Sequence, residues 1–157
     1  MKKIILIATL IVTGFINAEA QTENGTVLLG GDISFETSNG NGVFTASPRV
    51  GYFVVKNFAV GGEFNLLTSE GFTSWAIGPF VRGYFAGTEQ GKFYGQLGVN
   101  VGGATGSNTR VGFGIGAGYA IFLNRSIAID LGLNYNKTGD TNGIFGIGAG
   151  FQIHFKK

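Results

Sequence analysis

Six charged side chains lie within stretches of the sequence that otherwise alternate bulky apolar residues with small or polar ones. They are Asp32, Glu36, Arg49, Glu63, Arg82 and Asp130. Each occupies a position of the small or polar set, so all six would share one face of an extended chain. If that face is enclosed, the charges must pair, because an unpaired ion in a narrow, poorly hydrated space is costly.

The expected pairs are Arg82 with Glu63, and Arg49 with either Asp32 or Glu63. We interpret Asp32, Arg49, Glu63, Arg82 and Asp130 as a structural ion-pair network. A proton or ion path is the alternative. Isolated charges in an apolar medium often indicate function while paired charges often do not, and this favours the structural interpretation.

The elements that position these residues are predicted to be strands. Alternation of period two defines eight runs, over residues 26–36, 43–53, 58–68, 72–85, 93–103, 110–122, 127–136 and 145–155. Short turns between long strands favour antiparallel neighbours, and pairing of the last strand with the first removes two open edges. The sequence therefore predicts an all-β fold, an eight-stranded antiparallel up-and-down β-barrel.

Residues 1–20 are predicted to be a cleavable signal peptide that precedes this domain. Lys2 and Lys3 come before the apolar run 4–16, and Ala18-Glu19-Ala20 supplies small residues where a signal peptidase cleaves. Residues 21–157 would then form one barrel domain, because no linker-like composition interrupts them.

The composition excludes some classes of protein. Loss of Lys2, Lys3 and Glu19 lowers Lys plus Arg from 11 to 9 and Asp plus Glu from 9 to 8, which leaves a net charge of +1. No basic field remains for nucleic acid. Charged residues make up 13% of the chain, against roughly 25% in an ordinary soluble domain. The chain lacks the charged coat that such a domain carries.

Volume decides which face of the barrel points outward. An eight-stranded barrel has an interior only wide enough for ordinary side chains, and the apolar set offers about five bulky residues on nearly every strand. The apolar set must therefore face outward, into lipid, because in water it would aggregate. The predicted barrel spans a transmembrane layer, with the glycine, asparagine and ionic residues in its lumen.

Aromatic residues near the strand ends are expected to form girdles at the two membrane interfaces. One rim, taken as periplasmic, would carry Tyr52, Phe53, Phe58, Tyr84, Phe85, Phe93, Tyr94, Tyr119, Phe122 and Phe155. The other rim would carry Phe35, Phe44, Trp75, Tyr135 and Phe145.

Residues 26–155 resemble the small outer-membrane β-barrel proteins of the OmpA/OmpX kind, a porin-like class, and two segments carry the resemblance. Residues 48–61 look like that family's second-to-third-strand hairpin, and the terminal Phe151, Ile153 and Phe155 look like the signal that the barrel-assembly machinery reads. Lys156 and Lys157 follow the last aromatic residue, where the usual pattern ends on it. The resemblance implies an integral protein of the bacterial outer membrane, with outer-membrane lipids and that machinery as partners.

No residue pattern indicates catalysis, a cofactor or a metal site. His154 is the single histidine and the chain has no cysteine, so these residues cannot assemble a tetrahedral metal site. A lipid hydrolase using Ser, His and a carboxylate would need its site at the outer leaflet, whereas His154 is predicted near the periplasmic rim. We interpret His154 as a polar lumen residue.

The row Gly112, Gly114, Gly116 and Gly118 has a spacing of two and no following helix, unlike a dinucleotide-binding turn. These glycines are predicted to let the wall formed by the fifth to eighth strands approach large side chains of the opposite wall, such as Leu28, Phe80, Arg82 and Tyr84. A small solvated groove beside the glycine row is the alternative.

The sequence thus predicts a non-enzymatic barrel with both termini in the periplasm and a role in envelope integrity or surface contacts. Its surface loops would lie around Asn39, Glu70, Ser107 and Asp140. The alternatives are a narrow pore or small-ligand passage and, less favoured, a lipid-modifying enzyme.

Overall fold

A computed structural model of the chain describes residues 22–38, 41–139 and 144–156. The eight strands are β1 (Thr26–Ser38), β2 (Asn41–Val55), β3 (Phe58–Ser69), β4 (Phe72–Thr88), β5 (Gly91–Ala104), β6 (Arg110–Phe122), β7 (Ile127–Thr138) and β8 (Ile144–Lys156). No helix among these described residues is long and apolar enough to cross a membrane. The predicted signal peptide, the loop positions Asn39 and Asp140, and the side chain of Glu36 lie outside the described part of the chain.

The strands form a closed barrel in which each strand pairs with its sequence neighbours and β1 pairs with β8. All eight pairings are antiparallel. This confirms the predicted eight-stranded up-and-down barrel. Most strands run a few residues beyond the alternating pattern, since ladder hydrogen bonds join backbone atoms and continue through the polar residues at the ends.

The apolar set faces outward, as the volume argument predicts. Leu97, Val99, Ile115, Leu131 and Ile147 are all exposed on the outer surface. On the same strands the alternate positions carry glycine, asparagine and the charged residues, which point into the lumen. A continuous outer belt of this kind is stable only against hydrocarbon, and the closed ladder leaves few backbone groups exposed to it.

Strands β1 and β8 meet at a seam that closes the barrel, and they are paired along only part of its length. Six residue pairs join the two strands, from Thr26 with Lys156 to Gly31 with Phe151. Beyond Gly31 no further β1–β8 pair forms among the described residues, although β1 stays paired with β2 as far as Ser38 and β8 with β7 as far as Ile144. The barrel wall is therefore interrupted at the end away from the termini, which we call the loop end.

Glycine explains where the seam ends. Gly31 has a φ of 152°, a conformation that other residues rarely adopt. A methyl group at this position would also collide with the backbone of Ser47 and Pro48 on β2. Strand β1 can thus bend at Gly31, following β2 and separating from β8.

We predict that Leu97→Arg, in the middle of β5 on the outer face, destabilises the folded barrel by about 2–4 kcal/mol, the usual cost of a cation at the bilayer midplane. Denaturant titration in phospholipid vesicles measures the change. Leu123→Arg, an exposed residue in the β6–β7 turn, is the matched control and should change the stability by less than about 0.5 kcal/mol. Equal effects of the two substitutions would contradict a lipid-facing belt.

Candidate functional site

The lumen is divided into three layers along the barrel axis. A closely packed plug fills the end that holds both termini, here called the terminus end. An ionic layer lies above it. A polar cavity of about 760 Å³ occupies the remainder. The inward-facing residues follow this order, because Leu28, Phe53 and His154 are buried while Asn134 and Asn136 are exposed at the loop end.

Aromatic rings form much of the plug. Phe53 packs against Tyr84 and His154 with ring centroids 5.8 and 5.7 Å apart, and Phe122 packs edge-on against His154 at 5.6 Å. The smaller buried residues Leu28, Ala59, Ala120 and Ala128 complete the cluster. The expectation that Phe53, Tyr84, Tyr94 and Phe122 belong to a rim girdle is therefore wrong. They occupy inward positions, and only their outward neighbours remain candidates for the girdle.

The segment before β1 covers this plug. Thr22 is buried, its Oγ1 donates to Asn57 Oδ1 at 2.6 Å, and Lys92 Nζ donates to both oxygens at 2.6 and 2.9 Å. Asn57 holds the β2–β3 turn with a φ of 64°, which asparagine tolerates better than most residues. Beside it, a hydrogen bond from Lys56 lowers the pKa of the exposed Glu23 carboxyl.

Arg82 is at the centre of the ionic layer and is only 1% exposed. Its Nη1 lies 2.7 Å from Asp130 Oδ2, its Nε donates to Gln96 Oε1 at 2.8 Å, and its guanidinium carbon lies 4.2 Å from the Tyr94 ring centroid. Gln152 also donates to Asp130 Oδ2. The buried charge is thus paired and hydrogen-bonded on several sides, the condition under which a buried ion is tolerated.

Arg49 joins the other carboxylates. Its Nη2 lies 2.5 Å from Asp32 Oδ2, its Nε 3.0 Å from Glu63 Oε2, and its Nη1 3.9 Å from Asp130 Oδ2. Asn65 donates to Glu63 Oε1 at 3.1 Å. The five predicted site residues therefore lie together in one connected network.

One expected pair differs in the structure. Arg82 pairs with Asp130 across the lumen, and its connection to Glu63 runs through Gln96, whose Nε2 lies 3.3 Å from Glu63 Oε2. Gln96 and Gln152 are members of the network that sequence reasoning missed. Both lie at inward positions of their strands, so their parity was visible, but their role as bridges depends on distances across the barrel.

Side chains lie against several of the inward-facing glycines, and most of them are not the expected ones. Methyl groups at Gly118 and Gly132 would meet the Tyr94 hydroxyl, and one at Gly150 would meet the Asp32 carboxylate. Phe80 packs on Gly51 and Gly61 of β2 and β3, and it also contacts Gly98 of β5. Leu28, Tyr84 and Arg82 are not among the nearest neighbours of the β6 glycines. Adjacent strands supply more of these contacts than the opposite wall does.

His154 lies within the plug. Its Nε2 is 2.9 Å from Gln152 Oε1, and Tyr84 donates to the same oxygen at 2.7 Å. It is buried away from the outer surface. This placement agrees with the interpretation of His154 as a polar residue of the interior. Among the described residues, no group of three or more His, Cys, Asp or Glu residues is arranged to hold a metal ion.

Solved structures with the same architecture include three bacterial barrels. They are Neisserial surface protein A (18% identity, 83% of this chain and 96% of that chain, TM-score 0.64), the N-terminal barrel of Pseudomonas aeruginosa OprF (14%, 87% and 99%, 0.65) and the P. aeruginosa outer membrane protein OprG (12%, 90% and 100%, 0.62). The chain has the fold of the small outer-membrane β-barrel proteins. No protein-family model and no curated protein sequence matches it.

Within this small outer-membrane barrel fold, Arg82 and Asp130 are predicted to contribute to the stability of the native state in an energetically coupled way. Arg82→Met and Asp130→Leu should each cost about 3–5 kcal/mol, since each removes the nearest charged partner of a buried ion. The double variant should lose much less than the sum of the two. A double-mutant cycle in lipid vesicles measures the coupling, with the exposed Arg125→Met as control. Additive losses would contradict the pairing.

We also predict that Gly132→Ala destabilises the barrel by about 1–3 kcal/mol, the range for overpacking, because its methyl group meets the Tyr94 hydroxyl. Tyr94→Phe removes that hydroxyl and should recover most of the loss in the double variant. Gly95→Ala, which faces outward with its nearest contact at 3.8 Å, is the matched control. The midpoints of urea denaturation measure the stability of these variants. A loss of stability in Gly132→Ala that Tyr94→Phe leaves unchanged would contradict this contact.

Proposed function

We propose that this protein is a non-enzymatic integral barrel of the bacterial outer membrane with a structural role in envelope integrity or in surface contacts. One observation carries the proposal: the terminus end of the lumen is filled by buried side chains from several strands, including Leu28, Phe53, Tyr84 and Phe122. The ionic layer lies directly above them. A lumen packed in this way acts as a second core that braces the wall from inside.

In this proposal both termini lie in the periplasm after removal of residues 1–20. The outward residues Phe151, Ile153 and Phe155 at the end of β8 would serve the barrel-assembly machinery, and outer-membrane lipids would cover the apolar belt. The proposal rests on the outward exposure of Phe151 and Phe155 and on the resemblance of this segment to the family's assembly signal.

The candidate surface for contacts lies at the loop end. The β3–β4 turn holds Glu70 and Gly71, and the β5–β6 loop holds Ser107 and spans 105–109. Both are short and carry no lobe of their own. They suit contacts with neighbouring envelope components better than capture of a large ligand.

A narrow pore or small-ligand passage is the second candidate, and the polar cavity favours it. The plug opposes it, because any path along the axis must cross the Phe53, Tyr84 and His154 cluster. A lipid-modifying activity is less favoured, since His154 is enclosed in that cluster.

We predict that the purified protein shows no single-channel conductance in planar lipid bilayers. The variant Phe53→Ala/Tyr84→Ala removes two plug rings and should produce small conductance events. Tyr52→Ala, on the outer surface, removes a ring from the neighbouring position without touching the plug and should behave as the unchanged protein. Steady conductance by the unchanged protein, lost in Arg82→Ala, would replace the structural proposal with the pore.

A further inference from the structure

The open half of the β1–β8 seam connects the lumen with the lipid-facing surface. The residues around the cavity include Ile33 of β1 and Phe145, Ile147 and Ala149 of β8, which border the open part of the seam. Ile33 and Ile147 are 69% and 83% exposed, and within the described part of the chain neither has a pairing partner across the seam. Because β1 and β8 are unpaired beyond Gly31 and Phe151 in this part of the chain, the wall beside the cavity has a gap that faces the membrane.

The floor of the same cavity carries an excess of negative charge. Its charged lining residues in the described part of the chain are Asp32, Glu63, Asp130, Arg49 and Arg82. Three carboxylates against two guanidinium groups leave a formal charge of −1. Asp32 lies where the seam ends, over Gly150, and its side chain is partly exposed.

The three carboxylates differ in how far they face the cavity. The side chains of Asp32 and Glu63 are 35% and 20% exposed, whereas Asp130 is enclosed at 3%. The cavity thus presents two partly exposed carboxylates together with a net negative charge, which suits a cationic group with several N–H donors.

We propose that the lumen binds a membrane-borne, single-chain amphiphile with a primary ammonium head group, which enters through the open half of the β1–β8 seam. The ammonium group lies at the acidic floor near Asp32, Glu63 and Asp130. The alkyl chain leaves between Ile33 and Ile147 into the hydrocarbon. The cavity volume of about 760 Å³ falls within the roughly 300–1,000 Å³ of small-molecule sites.

Charge complementarity selects this occupant over others. An anionic lipid head would face the excess carboxylate, and a neutral alcohol would gain nothing from it. A second protein strand could pair with the free backbone edges but would leave the acidic floor unoccupied.

The test compares four probes with the same chain: dodecylamine, dodecyltrimethylammonium, dodecanol and dodecanoate. Isothermal titration uses the protein in phospholipid nanodiscs with protein-free nanodiscs subtracted. Dodecylamine should bind at least about tenfold more tightly than each of the others, a difference of about 1.4 kcal/mol. Equal affinity for dodecylamine and dodecanol overturns the head-group site, and this comparison needs no variant.

Two substitutions shift the floor charge in opposite directions. Glu63→Gln changes it from −1 to neutral and should weaken dodecylamine binding about tenfold, whereas Arg49→Gln changes it to −2 and should tighten binding. Glu70→Gln, exposed in the β3–β4 turn, is the matched control and should change nothing. Unchanged affinity in both lumen variants overturns the proposal. A difference in mobility between the unboiled and the boiled sample on a detergent gel verifies that each variant is folded.

A reversible disulfide across the seam tests whether the amphiphile enters there. If the register of the paired half continued two residues beyond Gly31 and Phe151, Ile33 would lie opposite Ala149, and the chain has no native cysteine. Oxidation of the variant Ile33→Cys/Ala149→Cys should close the seam and abolish dodecylamine binding, and reduction should restore it. Equal binding in the oxidised and reduced forms overturns entry through the seam. Two copies joined along their β1–β8 edges would place a protein strand there and also overturn the proposal.

Discussion

The structure depends on the small interior volume of an eight-stranded barrel. Such a barrel accepts only one modest set of side chains, and this chain has a bulky apolar set and a small or polar set on nearly every strand. The bulky set must face outward, and the medium around it must be hydrocarbon. The lumen, its ionic layer and its plug all follow from that sorting.

Glycine distributes the lumen volume unevenly around the barrel. The inward positions of β6 and β8 carry rows of glycine, whereas β4 and β5 contribute Phe80, Arg82, Tyr84 and Tyr94. Where large side chains reach the glycine rows, as Tyr94 does at Gly118 and Gly132, the lumen is filled. Where they do not, the polar cavity remains. The same molecule thus combines a packed brace at one end with a cavity at the other.

Much of this arrangement could be predicted from the sequence because strand parity is a local property. Alternation gave the inward position of every charged residue of the network, and short turns gave the antiparallel order. The Arg82–Asp130 pair could not be predicted, because it joins β4 to β7 across the lumen and no pattern encodes that distance. For the aromatic residues of the plug, nearness to the strand ends wrongly predicts a position in the rim girdle, whereas their parity agrees with their position in the lumen. The pair Gly30-Gly31 interrupts the alternation of the first strand, and it was the one available signal that the seam ends there.

The central claim is that the bulky apolar face contacts lipid, and fluorescence quenching tests it most directly. The chain has one tryptophan, so Trp75→Phe combined with Leu97→Trp gives a single reporter at the middle of β5. In vesicles of phospholipid with brominated acyl chains, the account predicts strong quenching of this reporter and little effect of aqueous iodide. Quenching by iodide without quenching by brominated lipid would contradict it.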